Sequence, residues 1–251
     1  MQPTTILPRP GAGPLPVPKG AGLTHRGRVR TQNEDAILAD PSHVLWAVAD
    51  GMGGHEGGAV AADLVIDALA AIGDQADPPE ALEDAIERAN TIVRIAARER
   101  GAQVMGATVV ALFIAQGVAH VAWAGDSRAY LLRGQRLRML THDHTVVQGM
   151  VDRGEIGSDE AEGHPEAHII TRAVGAAPEI EVDHAAVPLI LGDRLMLCSD
   201  GLPRCLYESA IETILSQGGH AQATCEALVL RALEEGAPDN VSVVVVDLVA
   251  G

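Results

Sequence analysis

The sequence predicts an α+β fold, a four-layer α-β-β-α sandwich of two antiparallel sheets flanked by helices. The first observation is the order of the elements, which runs strands, two helices, many strands, two helices and a last strand. The second is that short turns join most of the strand-like runs, as in antiparallel hairpins. The third is that nothing within residues 21–251 resembles a linker, which predicts a single domain.

The N-terminal half provides the first of these elements. Six prolines and no acid within residues 1–20 predict a Pro-rich, flexible tail. The runs AILAD and HVLWAVAD then predict two strands around a turn at Pro41-Ser42. GAVAADLVIDALAAIG and PPEALEDAIERANTIVRIAARERG predict two helices, the second with prolines at its start and Gly101 after its end.

The second half continues with strands. ATVVALFIA, VAHVAWAGD, RAYLLRG and RLRML predict an antiparallel series. Residues 145–168 are acidic and lack a steady period, so we expect a mobile excursion from the sheet. Strands resume at EVDHAAV and RLMLCSD. Two helices are predicted around 204–217 and 220–235, before the final strand NVSVVVVDLV.

Composition narrows the classes of function. A net charge of −16 and 2% aromatic residues argue against nucleic acid or an anionic membrane as the main partner. The three cysteines show no CxxC spacing, which favours a reducing compartment over a disulfide framework or a zinc site. Neither a signal-peptide core nor an apolar run of about 18 residues occurs, so we expect a cytoplasmic protein.

Acidic residues stand at the ends of several strand-like runs: Glu34, Asp35, Asp50, Asp126, Asp200 and Asp239. One aspartate beside a glycine is usually a turn residue, whereas a cluster of carboxylates requires compensating cations. Asp200 and Asp239 should meet if their strands pair, because the end of one antiparallel strand lies beside the start of its neighbour. Oxygen-only ligands favour Mg²⁺ or Mn²⁺ over zinc, and the set is consistent with a hydrolytic two-metal site.

Eight motifs follow one another along the chain: RVRTQNEDA, VADGMGGHEGG, GATVV, WAGDSRAYLLR, LTHDHT, ITRAVG, LCSDGL and PDNVSVVVV. In this order they resemble the metal-dependent serine/threonine protein phosphatases (the PPM or type 2C family), particularly the compact bacterial members. They extend from about residue 22 to 248, essentially the whole domain. The resemblance implies a β-sandwich flanked by helices, in agreement with the predicted layers.

The resemblance also implies a metal centre of two ions, Mn²⁺ or Mg²⁺. Asp50 would bridge the two ions, and the Gly51 carbonyl would bind one of them. Asp200 and Asp239 would complete the ligands of the other ion. Water activated by the two ions would then attack the phosphorus of phosphoserine or phosphothreonine, without a covalent phospho-enzyme.

The same resemblance assigns the residues around this centre. Glu34 would act through a metal-bound water, and Asp35 would orient the ligands. Asp126 matches the acid that holds a third, weaker ion together with Asp200 in bacterial members. Arg30 lies four residues before the Glu-Asp pair, where the family has the arginine that grips phosphate oxygens.

The chain departs from some members of the family at the position after the Asp-Gly pair. Those members have a histidine there, whereas Met52 cannot donate a proton to the leaving group. The proton must then come from a metal-bound water or from another histidine. His55 is one candidate, although capping a helix or facing solvent fits it equally well.

Residues 145–168 match the family's variable flap beside the active site. Its acids would favour basic phosphopeptides, but a solvated charged loop is the simpler interpretation. Four histidines, namely His142, His144, His164 and His168, suggest zinc or HD-type phosphohydrolase chemistry. Structural or flap roles fit them better, because HDH lies at a strand end rather than on a helix.

The sequence leaves two alternatives to an active phosphatase. A nucleotide-binding loop at GMGGHEGG is disfavoured, since the spacing is wrong, the loop lacks lysine, and Asp50 would lie against the phosphate. A catalytically inactive scaffold would be expected to lack metal ligands, yet Asp50, Asp200 and Asp239 are present. By analogy with the family, we expect a monomer whose partners are phosphorylated proteins and a serine/threonine kinase.

Overall fold

The computed structural model describes residues 16–39, 44–53, 57–73, 77–102, 104–161 and 163–251. The strands are β1 (Val17–His25), β2 (Asp35–Ala39), β3 (Leu45–Met52), β4 (Gly106–Ala107), β5 (Val109–Ala115), β6 (Val118–Ala124), β7 (Arg128–Arg133), β8 (Arg136–Met139), β9 (Asp183–Pro188), β10 (Arg194–Cys198) and β11 (Val241–Val249). The helices are α1 (Gly57–Ala70), α2 (Pro78–Arg100), α3 (Val146–Asp152), α4 (Ser158–Ala161), α5 (Glu208–Ser216) and α6 (Ala221–Glu234). Within these ranges, no helix combines the length and apolarity needed to cross a membrane.

The strands form two antiparallel sheets, with the orders β1-β11-β10-β7-β8 and β2-β3-β5-β6-β9. Their inner faces pack together through a buried cluster that includes Trp46 and Val110 from one sheet and Leu195 and Val244 from the other. Helices α1 and α2 cover the outer face of the β2–β9 sheet, and α5 and α6 cover that of the other sheet. The predicted four-layer sandwich is confirmed.

The continuous valine run in β11 is explained by burial on both faces. Val244 and Val246 point between the sheets, whereas Val243 and Val245 point toward α5 and α6. Successive side chains of a strand face opposite ways, so a strand between two apolar layers needs apolar residues throughout. This central strand carries Asp239 and Asn240 at its leading end.

The prediction of a flexible tail is wrong for residues 17–20, because they form the start of β1 and pair with β11. The composition was misleading because β1 is an edge strand, where Pro18 is tolerated. Gly20 is required by packing, since a Cβ atom there would lie 2.3 Å from Trp46 Nε1. Residues 1–15 and the turn predicted at Pro41-Ser42 lie outside the described residues.

The helix predicted around 204–217 begins later, at Glu208, because Tyr207 is extended, with φ −60° and ψ 151°. The preceding residues form turns, including one in which the Arg204 N–H donates to the Asp200 carbonyl at 3.1 Å. The flap at 145–168 contains α3 and α4, which are too short for a periodic signal in the sequence. Thr145 caps α3 by accepting the Gln148 N–H at 3.2 Å.

Candidate active site

The acidic residues predicted at strand ends converge on one rim of the sandwich. Strands β10 and β11 pair antiparallel, which brings Asp200 and Asp239 together as predicted. Asp35 lies opposite Asp50 in the β2–β3 pair. Burial raises the pKa of Asp50 most, and Asp35, Asp200 and Asp126 lie close enough for their charges to raise it further.

Burial and mutual repulsion raise the pKa of these carboxyl groups. The pKa of Asp50 lies well above its ordinary value, because of burial first and then the charges of neighbouring aspartates. Burial and the charge of Asp200 raise the pKa of Asp126 to about 7. Burial likewise raises the pKa of Asp35 to about 7, although Ser242 and Ser199 oppose the shift. The rim therefore holds more negative charge than its protein surroundings stabilise.

Three buried carboxylate oxygens lack a hydrogen-bond partner among the described residues: Asp35 Oδ1, Asp126 Oδ1 and Asp200 Oδ1. Unpartnered buried oxygens are rare in folded proteins and call for an ion or an ordered water. All of the donors are hard oxygens, which suits Mg²⁺ or Mn²⁺. The chemistry of these oxygens thus suits the divalent ions that the motifs imply, although no three histidine, cysteine or acidic side chains of the described residues are grouped as ligands.

Close backbone approaches hold Gly51 and Glu34 at this rim. A Cβ atom on Gly51 would lie 2.1 Å from the Gly58 carbonyl oxygen, so only glycine lets β3 end against the start of α1. The Gly51 N–H donates to the Glu34 carbonyl at 3.0 Å. The Asp35 carboxylate accepts from the hydroxyls of Ser199 at 2.8 Å and Ser242 at 2.6 Å, which fixes it behind the rim.

Asn240 is a positioning residue that sequence reasoning missed. Its Oδ1 accepts the Glu34 N–H at 2.8 Å, and its Nδ2 donates to the carbonyls of Arg26 and Gln32, each at 2.9 Å. These bonds tie the loop that carries Arg30 to the start of β11. The Asp239-Asn240 pair is the only hint of this role in the local sequence, because an asparagine side chain can both accept from and donate to backbone groups.

Two arginines reach the rim. The Arg30 guanidinium donates to Asp239 Oδ2 at 2.8 Å and remains half-exposed. Arg204 forms ion pairs with both Asp200 and Asp239. The sequence pattern predicted a helix at Arg204 and gave no signal for this contact, whereas the Gly-Leu-Pro turn folds Arg204 back over Asp200.

The HDH sequence has a structural role at the turn after β6. The His144 N–H donates to the Gly125 carbonyl, and His144 Nδ1 accepts the Gly125 N–H, each at 3.0 Å. Asp143 binds the Arg128 guanidinium through both carboxylate oxygens. These contacts are made to the residues before and after the Asp126-Ser127 pair, which agrees with a structural role for His144.

An open cleft of about 710 Å³ lies between the rim and the flap. Its lining includes Arg30, Asp126, Asp200 and Asp239 from the rim and His168 from the flap. Met52 ends β3 and pairs with Gly106. His55, the other candidate proton donor, lies outside the described residues.

A family model described as protein phosphatase 2C matches residues 21–235 of the chain. The chain belongs to the protein phosphatase 2C family. Serine/threonine phosphatase stp of Listeria monocytogenes is 35% identical over 235 residues, which cover 89% of this chain and 93% of that protein. PstP of Mycobacterium tuberculosis is 39% identical over 91% of this chain and 45% of its own length.

Solved structures of the 2C family have the same fold. The M. tuberculosis PstP/Ppp structure has a TM-score of 0.88 at 38% identity and covers 93% of this chain and 100% of that one. PppA, described as a key regulatory component of T6SS in Pseudomonas aeruginosa, has a TM-score of 0.85 at 38% identity, with coverages of 93% and 98%. Another PstP structure is described in complex with 2 manganese ions. The present chain is thus a metal-dependent serine/threonine protein phosphatase, as the motifs predicted.

Proposed function

We propose that this phosphatase binds phosphoserine and phosphothreonine segments in the cleft and hydrolyses them with two Mn²⁺ or Mg²⁺ ions. Asp50, the Gly51 carbonyl, Asp200 and Asp239 would hold these ions. The observation that supports this best is the convergence of buried carboxylates with unpartnered oxygens beside an open cleft. When bound, the ions would lower the pKa of a water molecule and polarise the phosphoryl group.

The residues around the ions have separate tasks in this proposal. Glu34 would orient water at the edge of the centre, and Asp35, held by two serine hydroxyls, would stabilise the ligands from behind. Asp126 would hold a third, weaker ion together with Asp200. The unpartnered Oδ1 atoms of these last two residues support that assignment.

Arg30 would bind the phosphoryl oxygens of the substrate. Its guanidinium lines the cleft and is half-exposed, so a phosphate can reach it. Its contact with Asp239 holds it at the rim before substrate binds. A planar guanidinium can bind two phosphate oxygens at once, which orients the phosphorus.

His168 would protonate the leaving serine or threonine oxygen. Its side chain is exposed and lines the cleft together with Asp200. Met52 has no proton to donate. A histidine that lines the same cleft as the proposed metal ligands can supply a proton to the leaving group.

The partners would be phosphorylated proteins and the serine/threonine kinase that modifies them, with the phosphatase acting as a monomer. The likeness to PppA supports a regulatory role of this kind. The three cysteines are all free thiols, which supports the expected cytoplasmic location.

Hydrolysis of an aryl phosphate and of a phosphothreonine peptide tests the proposal. We expect activity with Mn²⁺ that a chelator abolishes and that excess Mn²⁺ restores. Asp239→Asn should lower kcat by about a hundredfold or more, since one metal ligand loses its charge. Full activity in excess chelator, or in the variant, would refute the two-metal assignment.

A further inference from the structure

Arg204 is held over the acidic rim by the turn that follows β10. The turn is pinned against the start of β11, because a Cβ atom on Gly201 would lie 1.8 Å from the Asn240 carbonyl oxygen. The Arg204 side chain is 28% exposed, compared with 53% for Arg30, and its partners Asp200 and Asp239 are largely buried. Arg204 is therefore the more deeply placed of these two cations.

The contacts of Arg204 involve the carboxylates that metal ions would use. Its Nη1 donates to Asp239 Oδ2 at 2.8 Å, the oxygen that also accepts from Arg30. Its Nη2 contacts Asp200 Oδ2, while Asp200 Oδ1 has no partner among the described residues. The guanidinium also lies near Asp126, where its charge opposes the rise in pKa that burial causes. A positive charge thus lies among three aspartates at one end of the site.

We propose that Arg204 is a resident counter-ion that occupies the Asp200–Asp239 pair in the metal-free protein and must move before a divalent ion binds there. The inference rests on the proposed function, because it takes Asp200 and Asp239 as metal ligands. An ion at Asp239 repels a guanidinium on the same oxygen, so the two cations compete. In the metal-free protein, Arg204 offsets charges that would otherwise be buried without compensation.

Mn²⁺ titration calorimetry and thermal unfolding test this competition. For Arg204→Ala, we expect a Kd for Mn²⁺ about tenfold lower than that of the wild type, since no guanidinium has to be displaced. The melting temperature of the chelated variant should fall, and saturating Mn²⁺ should remove most of that loss. Arg204→Lys keeps the charge, so its Kd for Mn²⁺ should lie between those of the wild type and Arg204→Ala.

Arg133→Ala is the matched control. Arg133 binds Asp193, whose side chain is 1% exposed, at the other end of β7 from the rim. Its loss also leaves a buried carboxylate uncompensated, so it should lower the melting temperature equally with and without Mn²⁺ and leave the Kd unchanged. Behaviour of Arg204→Ala like that of this control would overturn the inference.

Asp239→Asn separates the inference from the proposed function. If wild-type protein binds Mn²⁺ and Asp239→Asn does not, an unchanged Kd in Arg204→Ala and Arg204→Lys refutes the inference alone. If Asp239→Asn binds Mn²⁺ as the wild type does, the metal-ligand assignment fails, and the inference fails with it.

Discussion

At the residue scale, Arg30 combines a contact to a proposed metal ligand with access to the cleft. Arg30→Ala should raise KM for a phosphothreonine peptide by about tenfold, because a charge-assisted, two-point contact to the phosphate is lost. Steady-state kinetics with saturating Mn²⁺ measure this. Arg26→Ala, an exposed arginine in the same loop, should leave KM unchanged. Unchanged KM and kcat in Arg30→Ala would remove Arg30 from the site.

The role of His168 can be isolated by the choice of leaving group. Nitrophenolate leaves without a proton, whereas a threonine alkoxide requires one. His168→Asn should therefore lower kcat for a phosphothreonine peptide by about a hundredfold and change kcat for nitrophenyl phosphate little. His164→Asn, in the same flap, is the control. An equal loss on both substrates would indicate that His168 positions the flap instead of donating a proton.

At the element scale, the flap acids are partly committed to local pairs. Asp152 contacts His142 at 2.9 Å, and Glu155 contacts Arg153 at 2.6 Å. These contacts favour the simpler interpretation of a solvated charged loop over one specialised for basic peptides. The base of the flap is attached to the sheet region through the Thr145–Ile170 bridge.

The loop that carries Arg30 and Glu34 depends on Asn240 at the start of β11. Asn240→Ala removes three hydrogen bonds and leaves backbone groups of that loop without partners. We expect the free energy of unfolding to fall by about 2–3 kcal/mol. Urea unfolding measures this change, and KM measured on the folded fraction should rise as Arg30 loses its support. A variant with wild-type stability and KM would contradict the role assigned to Asn240.

At the scale of the whole molecule, the acidic rim couples stability to pH in the metal-free protein. The pKa of Asp126 is raised from 3.8 to about 7 in the fold, so its native carboxyl retains a proton that the unfolded chain releases. Its contribution to stability therefore decreases as pH rises through that window. A variant without the Asp126 carboxyl group should not lose this stability as pH rises.

In excess chelator, Asp126→Asn should accordingly melt a few degrees above the wild type at pH 7.5, and the difference should shrink toward pH 4.5. Thermal unfolding of the two proteins across this range measures the effect, and the comparison cancels contributions from titrating groups that do not interact with Asp126. A difference that does not vary with pH would show that Asp126 is ionised in the metal-free fold.

By itself, the sequence determined the layer order, because strand and helix periodicities depend on which faces are apolar. It also predicted the acids that converge at the rim, because the ordered motifs carry them. Only the tertiary structure revealed the strand at Val17–Gly20, whose glycine is explained by Trp46 in a distant strand. It also revealed Arg204 and Asn240 at the rim. Arg204 follows β10 and contacts Asp239 just before β11, and Asn240 bonds the loop before β2. Such contacts join residues far apart in the sequence, so they leave no local pattern in the chain.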